Sequence, residues 1–373
     1  MAQDTEFGTE NPALPPRANP DLLGHEAAER ELAGLWRAGR LPHAILLAGP
    51  RGIGKATLAF RFARFLLAQG KREGDGDGGL FAAAEGEAGL AIDPDSGVFR
   101  RVAGGAHADL LTVERAWDTR RKRLRGEIVV DDTREVAAFF RLTAAEEGWR
   151  VVILDGAEEM NRNAANAVLK ILEEPPDHAL LLLVSHSPGR LLPTIRSRCR
   201  RLVLRPLPLP LTVALLRRYR PLLDETEARA LAALSGGSIG RALELADAGG
   251  LGLYRGLLEL LAEAPTIDLG RLHGLTDRLA RNDAEDAYRA SGELLSLLLA
   301  RLAAAAARGP GPAEEIVAGE TAVIQRLAGC ADAQSWAALH AATDRGFATA
   351  RELNLDRKQT MLGAFFAIAE AAR

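Results

Sequence analysis

Residues 49–55, GPRGIGK, set three glycines and a lysine where a loop could close around a polyphosphate. Gly49, Gly52 and Gly54 would let successive backbone N–H groups turn toward an anion, and Lys55 would reach its outer phosphates. An apolar run, 44–48, precedes the loop and a helical pattern opens at Lys55. That order, strand then loop then helix, puts a helix N-terminus against the phosphates. The group that should follow the lysine is a hydroxyl to hold Mg²⁺, but the residue there is Ala56. Thr57 stands one place later, about 100° around the helix, and points elsewhere. The other reading of the stretch is a plain glycine turn.

Hydrolysis at such a loop also needs an acid at the end of a neighbouring strand and a carboxylate to polarise the attacking water. Asp155 closes the apolar run VVILD and fits the first role; the next residue, where the second acid is expected, is Gly156. Glu158 and Glu159 come too late in the chain to be assigned that place from spacing. A single positioned base contributes about 10²–10⁴-fold to a rate. With Ala56 and Gly156 both defective, the site reads as a nucleotide fold without turnover.

Around this loop, residues 151–156, 179–186, 108–115 and 200–206 join 44–48 as predicted strands, separated by helical patterns. This alternation predicts a doubly wound parallel sheet. Helical patterns cover 23–40 and 163–174, the latter stopped by Pro175 and Pro176. Another runs from Asp132, three residues ahead of Glu135 as in a capping box, through Val136, Phe139, Phe140 and Thr143 to Gly148. Residues 70–106 are rich in Gly, Asp and Glu and predict an insertion or partly ordered loop. The basic run TRRKRLRGE, 119–127, reads either as a phosphate-backbone contact or as a solvated loop.

Past the proline-spaced 206–210 no strand is convincing. Two or three short helices surround Gly236-Gly237-Ser238, AEAPTIDLG (262–270) suggests a hinge, and alanine- and leucine-rich helices finish the chain. The predicted class is α/β then all-α. It divides into a flexible 1–20, a phosphate-loop domain 21–207, a helical lid 208–264 and a helical domain 265–373.

Composition excludes several alternatives. With 373 residues, 47% hydrophobic and 5% aromatic, the chain can bury a core filled by Leu, Ala and Val. The net charge of −3 confines any nucleic-acid contact to a local patch. Two cysteines, Cys199 and Cys330, belong to no C-x-x-C pair, and the seven histidines are scattered. The polar, proline-rich start lacks the apolar core of a signal peptide. The run LLSLLLARLAAAAA is interrupted by Arg301 and reads as a buried helix, so the expectation is a cytoplasmic protein without a membrane span.

HAILLAGPRGIGKATLA, HADLLTVER, the DDTREV helix, GWRVVILDGAEEMNRNAANAVLKILEEPP, TIRSRCRRL and GGSIGRALEL occur in that order. Together they resemble the δ′ subunits of the bacterial DNA polymerase III clamp loader, most closely the α-proteobacterial type, over roughly residues 20–245. The resemblance implies an AAA+ phosphate-loop module, a small lid and a C-terminal helical collar. It implies a hetero-pentamer with the γ/τ ATPase subunits and δ that helps load the sliding clamp on primed DNA. In it the δ′ chain is a stator, an accessory subunit of the polymerase (nucleotidyltransferase) holoenzyme and not catalytic alone.

The same resemblance gives roles to single residues. In Ser197-Arg198-Cys199, Arg198 corresponds to an arginine finger aimed at ATP on a neighbouring ATPase subunit, a contribution of about 10³–10⁵-fold. The residue-level alternative is that Arg198 pairs with an acid at a domain edge. Arg241 corresponds to a nucleotide-sensing lid arginine, or is structural. Ser185 corresponds to a polar sensor, or is a strand-end serine. Gly49, Gly52, Gly54, Lys55, Thr57, Asp155, Ser185 and Arg241 thus outline a degenerate nucleotide site with weak or absent ATP binding and no required cofactor. Cys199 reads as a small buried hydrophobe. Many relatives bind zinc through four cysteines after the phosphate-loop helix; residues 70–106 hold none, so no zinc is expected. Any DNA contact would be to the backbone and salt-dependent. A competing reading is a self-sufficient AAA+ ATPase of the γ/τ type; a third is a nucleotide-binding regulator outside replication.

Overall fold

The computed structural model describes residues 14–69, 89–119, 123–142, 144–145, 148–309 and 315–373. Two compact units divide it, one ending at Leu211 and the other running from Thr212 to Arg373. In the first unit the elements are α1 (Glu26–Arg37), β1 (Ala44–Ala48), α2 (Lys55–Gln69), α3 (Gly97–Ala103) and β2 (Leu110–Val113). A short hairpin of β3 (Trp117–Asp118) and β4 (Arg123–Leu124) leads to α4 (Val130–Arg141). Then come β5 (Arg150–Asp155), α5 (Arg162–Glu173), β6 (Ala179–Ser185), α6 (Pro193–Arg198) and β7 (Arg200–Val203).

Five strands form a parallel sheet in the order β2-β5-β6-β1-β7. β1 and β6 are buried along their whole length, as strands covered on both faces must be. Side chains alternate between two cores. Ile45, Leu47, Ile153 and Leu182 pack with α1 and α2, while Leu46, Leu154 and Leu183 pack with Val136 of α4 and Val168 of α5. The expected parallel α/β sheet, with its loop of glycines between β1 and α2, is therefore present.

Several local expectations are corrected. Residues 97–103, inside the expected loop-like insertion, form α3; Ser96 caps it, and Phe99 and Val102 bury one face. Residues 70–88 lie outside the described part, as do 1–13, Thr143 and the centre of the basic run, 120–122. Residues 15–20 are not a free lead-in. Arg64 donates to the carbonyls of Arg17 and Asn19 at 2.8 Å each, and Arg61 to that of Pro20. The helix expected to run to Gly148 ends at Arg141, where Leu142 turns extended. Asp132 is not its N-cap: its carboxylate accepts the Val129 N–H at 2.9 Å from the first turn.

The second unit contains α7 (Leu209–Tyr219), which crosses its boundary, α8 (Glu225–Leu234), α9 (Ile239–Asp247) and α10 (Gly250–Glu263). These are four helices where two or three were expected. α11 (Leu269–Ala280), α12 (Glu285–Arg308), α13 (Glu320–Ala328), α14 (Ala333–Leu353) and α15 (Arg357–Ala371) follow, so the chain is all-α here as expected. One core runs from Leu216 to Ala372, across the position of the expected lid–collar boundary. The hinge expected at 262–270 is tied down, because Arg326 donates to the carbonyls of Leu261, Ala262 and Ala264. A cation on the last carbonyls of α10 satisfies groups the helix leaves open.

By length and composition α12 could cross a membrane. In this fold Leu294, Leu295, Leu298 and Leu299 are core residues, and Arg301 meets the fully buried Glu320 at 2.8 Å. Tyr254 and the Ile316 N–H complete the partners of that carboxylate at 2.5 and 2.7 Å. A buried acid with this many donors holds α10, α12 and α13 in one arrangement.

Candidate nucleotide-fold site

The loop between β1 and α2 has the backbone its glycines allow. Gly52 and Gly54 adopt φ of +73° and +104°. A Cβ on Gly49 would stand 2.4 Å from the Leu204 carbonyl, so only glycine lets β1 and the chain after β7 approach this closely. His25 Nε2 lies 2.6 Å from the Ile53 carbonyl, and Leu22 packs against Gly54. The segment before α1 thus braces the loop from outside.

Lys55 is 2% exposed, and its Nζ donates to the Pro50 carbonyl at 2.5 Å. Burial pulls its pKa down to about 8 against the attraction of Asp155 and Glu158. Asp155, at the C-terminal end of β5, is pushed up to about 6, by burial first and by Glu114 second. The structure therefore brings Gly49, Gly52, Gly54, Lys55 and Asp155 to the C-terminal edge of the sheet, where parallel sheets bind ligands. Ala56 offers no donor to a metal, and Thr57 is buried in α2. The donor set does not fit a Mg²⁺–nucleotide.

Position 156 differs in a way spacing could not reveal. Gly156 is left-handed, with φ +78° and ψ +47°. A Cβ there would meet Glu159 Oε2 at 2.6 Å. Position 156 thus offers neither an acid nor the backbone conformation that an acid there would prefer. Glu159 itself is held by Arg115 at 2.7 Å.

Glu158 also belongs to the site. Its carboxylate accepts the N–H groups of His186 at 2.8 Å and Ser187 at 3.1 Å. Burial raises its pKa, but its own N–H, the Ser185 hydroxyl and the His186 N–H outweigh that and hold it below the usual range. Ser185, at the end of β6, is fully buried, and its hydroxyl makes no formed hydrogen bond among the described residues. His186, which the sequence did not single out, is driven down to about 4 by burial and then by Lys55. No periodicity announces either residue, because the left-handed turn at Gly156 redirects the chain after β5. Near Lys55, then, Glu158 is hydrogen-bonded and Glu159 ion-paired, while Asp155 is half-buried.

Arg198 lies elsewhere. β7 runs parallel to β1, with Arg200 opposite Ile45 and Val203 opposite Ala48. Arg198 therefore sits beyond the N-terminal edge of the sheet, while the phosphate loop leaves the C-terminal edge. The strand alone separates those levels by about 10 Å. Arg198 is exposed, with Nη2 3.0 Å from Glu173 Oε1 and Nη1 3.2 Å from the Thr194 carbonyl. Within this chain it pairs with an acid and does not serve its own loop. Cys199 beside it is buried enough that its thiol is pushed up to about 12, the behaviour of an inert packing group. In the second unit Arg241 on α9 faces Glu293 on α12 at 3.4 Å. Among the described residues no group of three or more His, Cys, Asp or Glu is arranged to hold a metal.

The family model described as DNA polymerase III, delta subunit, matches residues 24–208. DNA polymerase III subunit delta' of Pseudomonas aeruginosa is 42% identical over 199 residues, which is 52% of this chain and 53% of that protein. Subunit delta' of Yersinia pestis is 33% identical over 175 residues, covering 46% of this chain and 44% of its own. Subunit tau of Escherichia coli is 30% identical over 187 residues, 49% of this chain and 25% of tau. The chain spans about half the length of these delta' relatives. Residues 24–208 thus match the DNA polymerase III delta-subunit family, and the chain is similar over about half its length to bacterial delta' subunits.

Proposed function

We propose that this chain is the δ′ stator of a DNA polymerase III clamp loader, helping to place the sliding clamp on primed DNA in the cytoplasm. The observation that carries the reading is the position of Arg198: exposed, and at the opposite end of the sheet from its own phosphate loop. A guanidinium so placed can reach a nucleotide only on another subunit. There it would stabilise charge developing on the transferred phosphoryl group. The Glu173 pair holds the guanidinium until a phosphate replaces the carboxylate. Exposed pairs of this kind are worth about 0–1 kcal/mol, so the exchange meets little resistance.

The chain's own site supports little or no hydrolysis, for three reasons. Lys55 is engaged with Pro50, position 56 has no hydroxyl, and Gly156 leaves no acid to polarise water. The reading requires no zinc and no bound nucleotide for folding. Its partners are γ/τ-type ATPase subunits and δ in a hetero-pentamer, with the C-terminal helical unit supplying the assembly surface. The clamp is an indirect partner, and contact with primer–template is to the DNA backbone.

The test is ATP turnover by a reconstituted loader containing wild-type or Arg198→Ala chain. A drop of at least about tenfold, with folding intact, is the expected result. An unchanged rate would remove the trans-acting role. Robust Mg²⁺-dependent hydrolysis by the isolated chain, lost in Lys55→Ala, would replace the stator reading with that of a self-sufficient ATPase.

A further inference from the structure

β7 is the last strand of the sheet, and among the described residues it pairs only with β1. Its two faces are treated differently. Leu202 and Leu204 point into the core shared with α1 and α2. Arg201, Val203 and Arg205 alternate with them and lie on the other face, which the helical layer leaves open. All three are exposed, Val203 to 55%. Arg196, on the helix just before, is exposed as well.

The charges along this edge are not neutralised from within. Arg198 and Arg200 pair with Glu173 and Glu31. The side chains of Arg196, Arg201 and Arg205 have no ion-pair or hydrogen-bond partner among the described residues. An edge strand usually carries charge to repel other strands. An exposed valine centred between two unpaired arginines is a different pattern. It gives an apolar contact flanked by cations, which suits a folded surface with carboxylates on either side of an apolar patch. A nucleic-acid backbone would gain nothing from Val203.

We propose that the uncovered face of β7, formed by Arg201 and Val203 and continued just past the strand by Arg205, is a docking stripe for an acidic surface of the subunit whose nucleotide Arg198 reaches. The inference rests on the stator reading, because Arg198 on the adjoining α6 fixes which neighbour lies there. Docking and catalysis are then separate tasks of one edge: the stripe sets the neighbour in place and Arg198 reaches past it. Charge complementarity at such a rim acts on the encounter rate and on partner choice, and it weakens with salt.

The experiment compares wild-type, Arg201→Glu/Arg205→Glu and Arg198→Ala chains. Each is mixed with the purified ATPase subunit encoded in the same genome, at low and at physiological salt. Melting temperatures are recorded first, and Arg201→Ala/Arg205→Ala is carried as a milder second variant. The double reversal is expected to weaken co-assembly by at least about tenfold and to flatten its salt dependence. Arg198→Ala is expected to assemble normally while lowering turnover.

If the double reversal assembles like wild-type, the docking stripe is refuted, and the edge arginines only guard the sheet. It is refuted equally if the reversal weakens binding to a short DNA duplex but leaves assembly unchanged. If Arg198→Ala leaves turnover unchanged while the double reversal abolishes assembly, the finger fails and the stripe stands.

Discussion

Lys55 Nζ donates to the Pro50 carbonyl oxygen at 2.5 Å, so the cation that a phosphate loop offers its ligand instead closes the loop's own turn. Any polyphosphate entering the cradle must break that bond and gains no metal bridge from Ala56. Titration of the purified chain with Mg²⁺–ATP should give no saturation below about 1 mM. Lys55→Ala should change that little. A micromolar Kd that disappears in Lys55→Ala would show an open, working cradle.

Asp155 should leave a mark on stability against pH. Burial and Glu114 raise its pKa from the ordinary 3.8 to about 6. Between those values the folded chain holds a proton that the unfolded chain has released, so stability falls as pH rises from about 4 through 6. Asp155→Asn removes the effect. It should melt above wild-type at pH 7, by no more than about 3 kcal/mol, and match it below about pH 4. A variant less stable at pH 7 would mean that attraction to Lys55 outweighs the cost of burial.

Gly156 and Glu159 make restoring the missing acid costly. Gly156→Glu would put a side chain at φ +78°, with its Cβ 2.6 Å from the Glu159 carboxylate. The expected loss is about 1–3 kcal/mol in urea denaturation, partly recovered by Glu159→Ala. Turnover should stay absent even in Ala56→Thr/Gly156→Glu, followed by phosphate release. Hydrolysis in that double variant would show that only two side chains separate this chain from a motor.

Arg64 is the anchor of the segment ahead of α1. It is 1% exposed, bonds the carbonyls of Arg17 and Asn19, and lies over the Phe99 ring at 4.5 Å. Arg64→Met keeps much of the volume but leaves two carbonyls unpaired. The expected cost is about 2–4 kcal/mol. Limited proteolysis should then cut near residues 15–20 faster than in wild-type. Equal cutting would mean that Arg61 and the turn at Pro15 suffice.

Much of this is legible in the chain without coordinates. Buried parallel strands are apolar end to end, so 44–48, 151–155 and 179–185 can be recognised from composition, and GPRGIGK from its glycines. The departures at Ala56 and Gly156 from the expected hydroxyl and acid are equally plain, because they fall within a local spacing. α3 escapes such reading because its seven residues are too few for a clear period amid glycine and acid. The fixing of 262–270 escapes it too, because Arg326 comes 62 to 65 residues after the carbonyls it holds.

Local pattern, then, established the sheet, its loop and the residue types at 56 and 156, since each depends on neighbours a few residues away. Long-range pairing settled the rest. Glu158 joined the site because a left-handed glycine turned it toward the N–H groups of 186 and 187. Arg198 was set apart from its own loop by the register of β7 on β1. Neither outcome could be read from spacing, because register and turn direction are fixed by the contacts of the folded core and not by the order of residues along the chain.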